Sequence, residues 1–232
     1  MEFSAEGPMA IPMWVNGHAF LSVGDAFYDV VNPVTGEALR RVPLCGASEA
    51  EEAVAAARAA QPEWAAMGLA ARQVCLGKLA DGVDRYIGHF AKLLTQDLGL
   101  TEEAATADVQ AAVDALRGMA VGETGVAGLV IDADRPLVRA AKALVPALLA
   151  GGTVVVKPSP KAPSAVFALC ELTSRVEWPA GVVNLLQGDT AAVTGLCGAP
   201  VDRIVYAGQP ELGKQVKMLA EASGKTFAEA AF

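Results

Sequence analysis

The sequence predicts an α/β protein: a five-stranded parallel sheet with helices on both faces, preceded by a helical annex and small strands. Short β-rich runs alternate with helical stretches in the second half of the chain, an order typical of parallel sheets. Val154, Val155 and Val156 are apolar at consecutive positions, which indicates a strand buried on both sides. The five predicted strands span residues 127–131, 153–157, 182–187, 203–206 and 226–229.

The domain organisation follows from where these strands lie. Residues 1–12 contain Gly7, Pro8 and Pro12 without periodicity, so we expect a flexible amino-terminal arm. Residues 13–232 form a single predicted domain, in which residues 13–120 supply a hairpin and helices and residues 121–232 supply the βα units.

Small strands are predicted early in that domain. Apolar runs around Trp14 and over residues 28–31 are separated by Gly17 and Gly24, a pattern that favours small strands or a hairpin. Residues 32–37, with a proline and a glycine, predict a turn.

Four helices are expected to follow. Ser48 and Glu51 have the spacing of a capping box, which predicts a helix from there to about Trp64. The second helix carries one apolar face, made of Leu76, Leu79, Val83 and Ile87. A short helix over residues 90–98 ends at Gly99, and the fourth runs from Thr101 to Gly118.

The overall charge and the absence of targeting signals narrow the classes of partner. Eighteen basic against 26 acidic residues give a net charge of −8, which disfavours nucleic acid and anionic membrane. No stretch approaches the roughly 20 apolar residues of a membrane span, and no leader pattern is visible. We therefore expect a cytoplasmic protein. A hydrophobic fraction of 53% favours surface buried against another chain.

The cysteines do not indicate a metal site. All four are scattered without a Cys-x-x-Cys pair, so we expect buried thiols, neither zinc ligands nor disulfides. Asp132 and Asp134 could share a divalent cation, but two carboxylates are weak evidence, and Arg135 is the alternative partner for them. We predict no metal centre.

Several motifs, taken together, resemble the aldehyde dehydrogenase superfamily. They are the turn at 32–37, Gly-Gly-Thr-Val-Val-Val-Lys-Pro-Ser at 151–159, Pro-Ala-Gly-Val-Val-Asn at 179–184 with Gly188, and Tyr-Ala-Gly-Gln-Pro-Glu-Leu-Gly at 206–213. The resemblance extends in order over residues 13–231 and implies a Rossmann-like nucleotide-binding domain. A similar cysteine-free domain occurs at the end of some long proline utilisation A proteins.

The resemblance implies a site for NAD or NADP at the carboxyl edge of the sheet. Lys157 stands where the family lysine holds the adenosine ribose. Residues 208–213 stand where the family places the pyrophosphate. The cofactor-binding residues implied in this way are Lys157, Ser159, Gly188, Gly208, Gln209 and Gly213.

Departures from the family pattern predict weak or absent cofactor binding. Pro160 replaces the glutamate that bonds the ribose, so a side-chain acceptor is lost. Gln209 replaces a serine or threonine of the phosphate turn, and Pro210 removes an amide.

The implied catalytic residues are also altered. Asp134 aligns with an asparagine that stabilises the oxyanion, and an ionised carboxylate cannot donate a hydrogen bond. Glu229 aligns with the general base, and we expect both residues to be vestigial because the chain stops before a catalytic cysteine appears. We predict a truncated protein that is inactive alone.

Three functions remain open at this point: a non-catalytic scaffold or interaction protein, the NAD(P)-binding component of a split aldehyde oxidoreductase, and a nucleotide-sensing regulator. An uncovered apolar surface and a strand edge near residues 227–232 predict a homodimer or a complex with a protein partner.

Overall fold

A computed structural model describes residues 8–21 and 26–230 of the chain. Its centre is a seven-stranded sheet in the order β10-β9-β6-β7-β8-β2-β3. Five of these strands run parallel and confirm the predicted sheet. They are β6 (Val126–Ile131), β7 (Thr153–Pro158), β8 (Val183–Leu185), β9 (Arg203–Ala207) and β10 (Thr226–Glu229).

The sheet is larger than predicted because the amino-terminal hairpin joins it. Strands β2 (Met13–Val15) and β3 (His18–Phe20) pair antiparallel, and Trp14 of β2 lies opposite Leu185 of β8. The hairpin turns through Asn16 and Gly17, both with positive φ, as a two-residue hairpin loop requires.

A second, three-stranded sheet lies apart from the first and has the order β1-β5-β4. It consists of β1 (Met9–Ala10), β4 (Phe27–Val31) and β5 (Ala38–Pro43). Residues 9–11 are thus paired with β5, where the sequence indicated a loose arm; residues 1–7 of that arm lie outside the described part. The predicted turn joins β4 to β5, and the Asn32 side chain accepts hydrogen bonds there from Val34 and Thr35.

Four helices precede β6: α1 (Ala47–Ala66), α2 (Leu69–Arg85), α3 (Ile87–Leu98) and α4 (Glu102–Leu116). The helix after Gly46 begins earlier than predicted, because the Glu49 carboxylate accepts the Gly46 amide at 2.9 Å, two residues before the expected capping box. The predicted ends at Gly99 and Thr101 hold: Gly99 has a φ of 67° at the end of α3, and Thr101 caps α4. The second helix ends at Arg85, so Ile87, which was expected on its apolar face, begins α3 instead.

Helices cover both faces of the large sheet. The remaining ones are α5 (Pro136–Leu149), α6 (Ser164–Leu172), α7 (Thr190–Gly198) and α8 (Pro210–Ala222). One apolar core joins α2 to α6 with one face of the sheet, and another joins α7, α8 and the start of α1 with the opposite face. Loops that follow the parallel strands are thereby held at one edge. No helix in residues 8–21 and 26–230 is long and apolar enough to cross a membrane.

Candidate functional site

All sequence-predicted site residues lie at or just beyond the carboxyl ends of the parallel strands. Because β6 and β9 are neighbours in the sheet, the residues that follow them meet. Lys157 and Ser159 follow the other neighbour of β6, and Gly188 follows β8 beyond it. The structure therefore divides the predicted site into two groups, one at the β6 and β9 ends and one at the β7 and β8 ends.

At the β6 and β9 ends, the amide that begins α8 already has a carboxylate partner. The Gln209 backbone N–H donates to Asp132 Oδ2 at 3.0 Å. The Tyr206 hydroxyl donates to the Gln209 carbonyl oxygen at 2.9 Å and lies 3.3 Å from the same Asp132 oxygen. Since anions bind at helix amino termini through such amides, Asp132 stands where the oxygen of an anionic ligand would.

Asp134 adds a second carboxylate to this group. Its Oδ2 accepts hydrogen bonds from Gln209 Nε2 and Arg139 Nη2, both at 2.7 Å. The hydrogen bond from Arg139 holds the pKa of the Asp134 carboxyl below its ordinary value, and the bond from Gln209 acts in the same direction. Asp134 is therefore ionised at neutral pH.

The ion pairs around this loop differ from the sequence-based expectation. Arg135 was the alternative partner for Asp132 and Asp134, but its Nε donates to Asp108 on α4 at 3.0 Å. Arg139, one turn further along in α5, forms the ion pair with Asp134 instead. Arg135 itself has a φ of 50° and occupies the left-handed region immediately before α5.

The three glycines assigned to the cofactor site are closely packed by protein atoms. A Cβ added to Gly208 would overlap the Tyr206 hydroxyl oxygen and Asp132 Cβ. One added to Gly188 would lie 3.0 Å from the backbone nitrogen of Cys45, and one at Gly213 would meet the Tyr206 ring. At these positions glycine is explained by packing within the chain.

Lys157 is buried at the end of β7, with a relative exposure of 3%. Burial lowers the pKa of its ammonium from 10.5 to about 8, although the nearby Asp189 and Cys45 oppose that shift. Its ammonium forms no hydrogen bond within the described part of the chain. Ser159 nearby uses its hydroxyl to accept the Lys161 amide at 3.4 Å, a local turn contact.

Glu229 is exposed and ends β10, the outermost strand of the sheet. Its carboxylate approaches Gly213 in the first turn of α8. The prediction that Glu229 is vestigial stays a prediction.

The four cysteines are buried free thiols, as expected from their scatter. Burial raises the pKa of Cys45 to about 12 and that of Cys197 to about 11. It also raises the pKa of Cys75 and Cys170. Because the thiolate is the nucleophile, these four side chains are poorly suited to attack a carbonyl.

Two members of the site were missed from the sequence. Tyr206 was read as the end of a strand and the first residue of the 206–213 motif, with no role for its hydroxyl, and Arg139 only as part of a helix. A signal for Arg139 was its place in the first turns of a helix directly after Asp132 and Asp134. No signal singled out the Tyr206 hydroxyl. Residues 8–21 and 26–230 contain no group of three or more His, Cys, Asp or Glu side chains that could hold a metal ion.

Comparisons with known proteins agree with this fold. The model of the "Aldehyde dehydrogenase family" matches residues 20–128 and 121–230. Lactaldehyde dehydrogenase of Escherichia coli (strain K12) is 30% identical over 238 residues, which cover 92% of this chain and 50% of the relative. The chain thus spans about half the length of the curated relatives it matches.

Solved structures show the same relationship. The crystal structure of lactaldehyde dehydrogenase from Escherichia coli superposes with a TM-score of 0.89 at 26% identity, covering 96% of this chain and 52% of that one. An aldehyde dehydrogenase from Bacillus cereus, solved as an NAD+ complex, gives a TM-score of 0.87 at 26% identity, covering 95% and 50%. On the match of the family model over nearly the whole chain, this protein belongs to the aldehyde dehydrogenase family.

Proposed function

We propose that this chain acts as a non-catalytic scaffold or interaction protein built on an aldehyde dehydrogenase fold. The observation that carries the proposal is the contact between the Asp132 carboxylate and the Gln209 amide. That amide opens α8 at the turn where the resemblance places a dinucleotide pyrophosphate. The Asp132 carboxylate already accepts the hydrogen bond that this amide can donate. Pro210, next in sequence, has no backbone N–H to donate to a phosphate.

Charge at the same turn opposes a pyrophosphate. Asp134 is ionised beside Arg139, which uses its Nε and Nη2 on the Asp134 carbonyl and carboxylate. Two like charges about 4 Å apart repel by about 1 kcal/mol in water, and by about 4 kcal/mol at an effective dielectric constant of 20. The Arg139 guanidinium offsets part of this repulsion, so Asp134 weakens phosphate binding at this turn by less than an unpaired carboxylate would.

The chemistry of an aldehyde oxidation is also poorly served by the residues present. An ionised Asp134 accepts hydrogen bonds and cannot stabilise a developing oxyanion. The thiols are buried and have raised pKa values, so none is activated as a nucleophile. These features support a role that does not depend on turnover.

A second candidate function is the NAD(P)-binding component of a split aldehyde oxidoreductase, with the reactive thiol on another polypeptide. Lys157 favours it, because its buried ammonium has hydrogen-bonding capacity that the described side chains do not use. On this alternative, Lys157 would bind the ribose of NAD or NADP.

Isothermal titration calorimetry of the 232-residue chain with NAD+ and NADP+ separates the two candidates. We expect no saturable heat at millimolar nucleotide from the wild-type chain. Micromolar binding that weakens tenfold or more in Lys157→Ala, but not in the exposed control Lys92→Ala, would replace the scaffold proposal with the split-enzyme alternative.

A further inference from the structure

The outermost strand of the large sheet has one unpaired edge. Strand β10 pairs in parallel with β9 over residues 226–229, and no other strand of residues 8–21 and 26–230 pairs with it. An unpaired edge presents a row of backbone N–H and C=O groups that can bond another strand.

The pairing with β9 fixes which backbone groups point outward. The Ala230 amide donates to the Tyr206 carbonyl of β9 at 2.8 Å. Since backbone groups alternate in direction along a strand, those of Ala228 also point toward β9, and those of Phe227 and Glu229 point away from it. The Lys225 amide is already used, because it donates to the Ala220 carbonyl at 2.9 Å.

The side chains along this edge have complementary charges. Lys225, Phe227 and Glu229 alternate with Thr226 and Ala228, so the three share one face of the sheet. Phe227 is half-buried against the core beneath α8, and Glu229 is exposed. Within the part of the chain that the structure describes, neither Lys225 nor Glu229 forms an ion pair.

We propose that a second copy of this chain pairs with β10 in an antiparallel, two-fold arrangement centred on Phe227. In this register Phe227 faces Phe227 of the other copy, and Lys225 faces Glu229 in both directions. The outward groups of Phe227 give two reciprocal hydrogen bonds across the axis. The outward Glu229 amide meets the Lys225 carbonyl twice, which gives four backbone hydrogen bonds in all.

Side-chain chemistry selects this occupant over an unrelated strand. A slip of the register by two residues would separate the opposite charges and would place Phe227 beside Lys225 or Glu229. Opposite-charge and aromatic cross-strand pairs are the favourable ones in sheets, whereas like charges directly opposite are unfavourable. The two-fold register satisfies both kinds of pair with one short segment. The inference does not depend on the proposed function, because pairing at this edge leaves the Asp132 to Gln209 contact unchanged.

Sedimentation velocity of the full chain tests the register. We expect a dimer at tens of micromolar that weakens as salt is raised. Glu229→Lys and Lys225→Glu each place like charges opposite one another twice, so each should weaken the dimer about tenfold or more. The double variant Lys225→Glu/Glu229→Lys restores opposite charges and should restore the dimer. Glu52→Lys, an exposed change of the same charge on α1, is the matched control.

A further variant tests the backbone contribution. Phe227→Pro removes an amide that points away from β9, so the bonds within the chain remain and the dimer should be lost. Circular dichroism of each variant verifies that it folds. A wild-type chain that stays monomeric at the highest concentration overturns the proposal. A dimer that is unaffected by the single charge reversals overturns it as well, because association would then use another surface.

Discussion

The Asp132 carboxylate lies 3.0 Å from the backbone nitrogen of Gln209 and accepts its hydrogen. The two residues are 77 positions apart in sequence and meet because β6 and β9 are adjacent in the sheet. The contact fixes the turn into α8, and it makes the chain's own side chain the partner of an amide that would otherwise face solvent or ligand.

Removing the acidic side chains at this turn should increase the affinity for nicotinamide nucleotides. In Asp132→Ala/Asp134→Ala the Gln209 amide is released and the repulsion of phosphate is removed, so we expect NAD+ binding at least tenfold tighter than in the wild-type chain. Calorimetry measures the change. Glu51→Ala/Glu52→Ala removes the same charge from an exposed part of α1 and should have no effect. Equal affinity in both double variants would argue against an acidic block at the turn.

The purified chain should not oxidise aldehydes. Its thiols are buried and protonated at neutral pH, so no thiohemiacetal forms. Absorbance at 340 nm should show no aldehyde-dependent NADH formation. A thiol reagent such as Ellman's reagent should react with the four cysteines only after unfolding in urea. Activity that is lost on treatment of the folded chain with this reagent would contradict the prediction.

Lys157 should make stability depend on pH in a definite direction. Its folded-state pKa of about 8 lies below the ordinary 10.5, so between these values the unfolded chain binds more protons than the folded one. The contribution of Lys157 to the unfolding free energy therefore rises with pH across this window. Lys157→Met should stabilise the protein at pH 7 by up to roughly 3 kcal/mol, because it removes the buried charge.

Urea unfolding followed by tryptophan fluorescence checks this at pH 7 and pH 9.5. The difference between Lys157→Met and wild type should shrink at the higher pH, whereas the exposed control Lys92→Met should show no such trend. Other groups that titrate in alkali, such as Tyr206, affect both proteins and cancel in the comparison. A difference that stays constant with pH would mean that folding does not lower the pKa of Lys157.

Removing the Asp97 side chain should lower the free energy of unfolding substantially. It is 2% exposed on α3, and its two oxygens accept the Ser164 amide and hydroxyl, each at 2.9 Å, at the start of α6. Arg40 lies 3.4 Å from it. Asp97→Ala leaves these buried donors unpaired and should destabilise the fold by about 2–4 kcal/mol, measured from the urea midpoint. The exposed Asp114→Ala should cost about 0.5 kcal/mol or less. Equal costs for the two variants would contradict the assignment.

The parallel strands could be predicted because each carries its own local signal. The buried run Val154 to Val156 is apolar on both faces. Gly99 ends α3 through its left-handed backbone, and Thr101 begins α4 through the hydroxyl that caps it. Pairing across the sheet has no such local signal. Three-residue strands such as β2 do not specify a partner, so the contact of Trp14 with Leu185 was missed.

The same limit applies to the site. Position along the chain placed Asp134 and Gln209 at strand ends, and the resemblance assigned their roles. Their mutual hydrogen bond depends on the strand order and on side-chain rotamers, which no spacing encodes. By sequence distance, Arg135 was the partner expected for Asp134, and Arg139 was not considered. In the structure Arg135, which has a left-handed backbone, contacts Asp108, and Arg139 contacts the Asp134 carboxylate.

The pairing of Trp14 with Leu185 also has a consequence for how the chain folds. About 170 residues separate the two strands that it joins, so β2 emerges from the ribosome long before its partner does. At synthesis rates of about 5–20 residues per second, the hairpin waits roughly ten to thirty seconds for β8. During that interval the side chains of Met13 and Trp14, which the finished sheet buries, lack their cover. Docking of this hairpin is therefore a late, long-range step in the folding of the chain, and until it occurs the hairpin is open to capture by a chaperone.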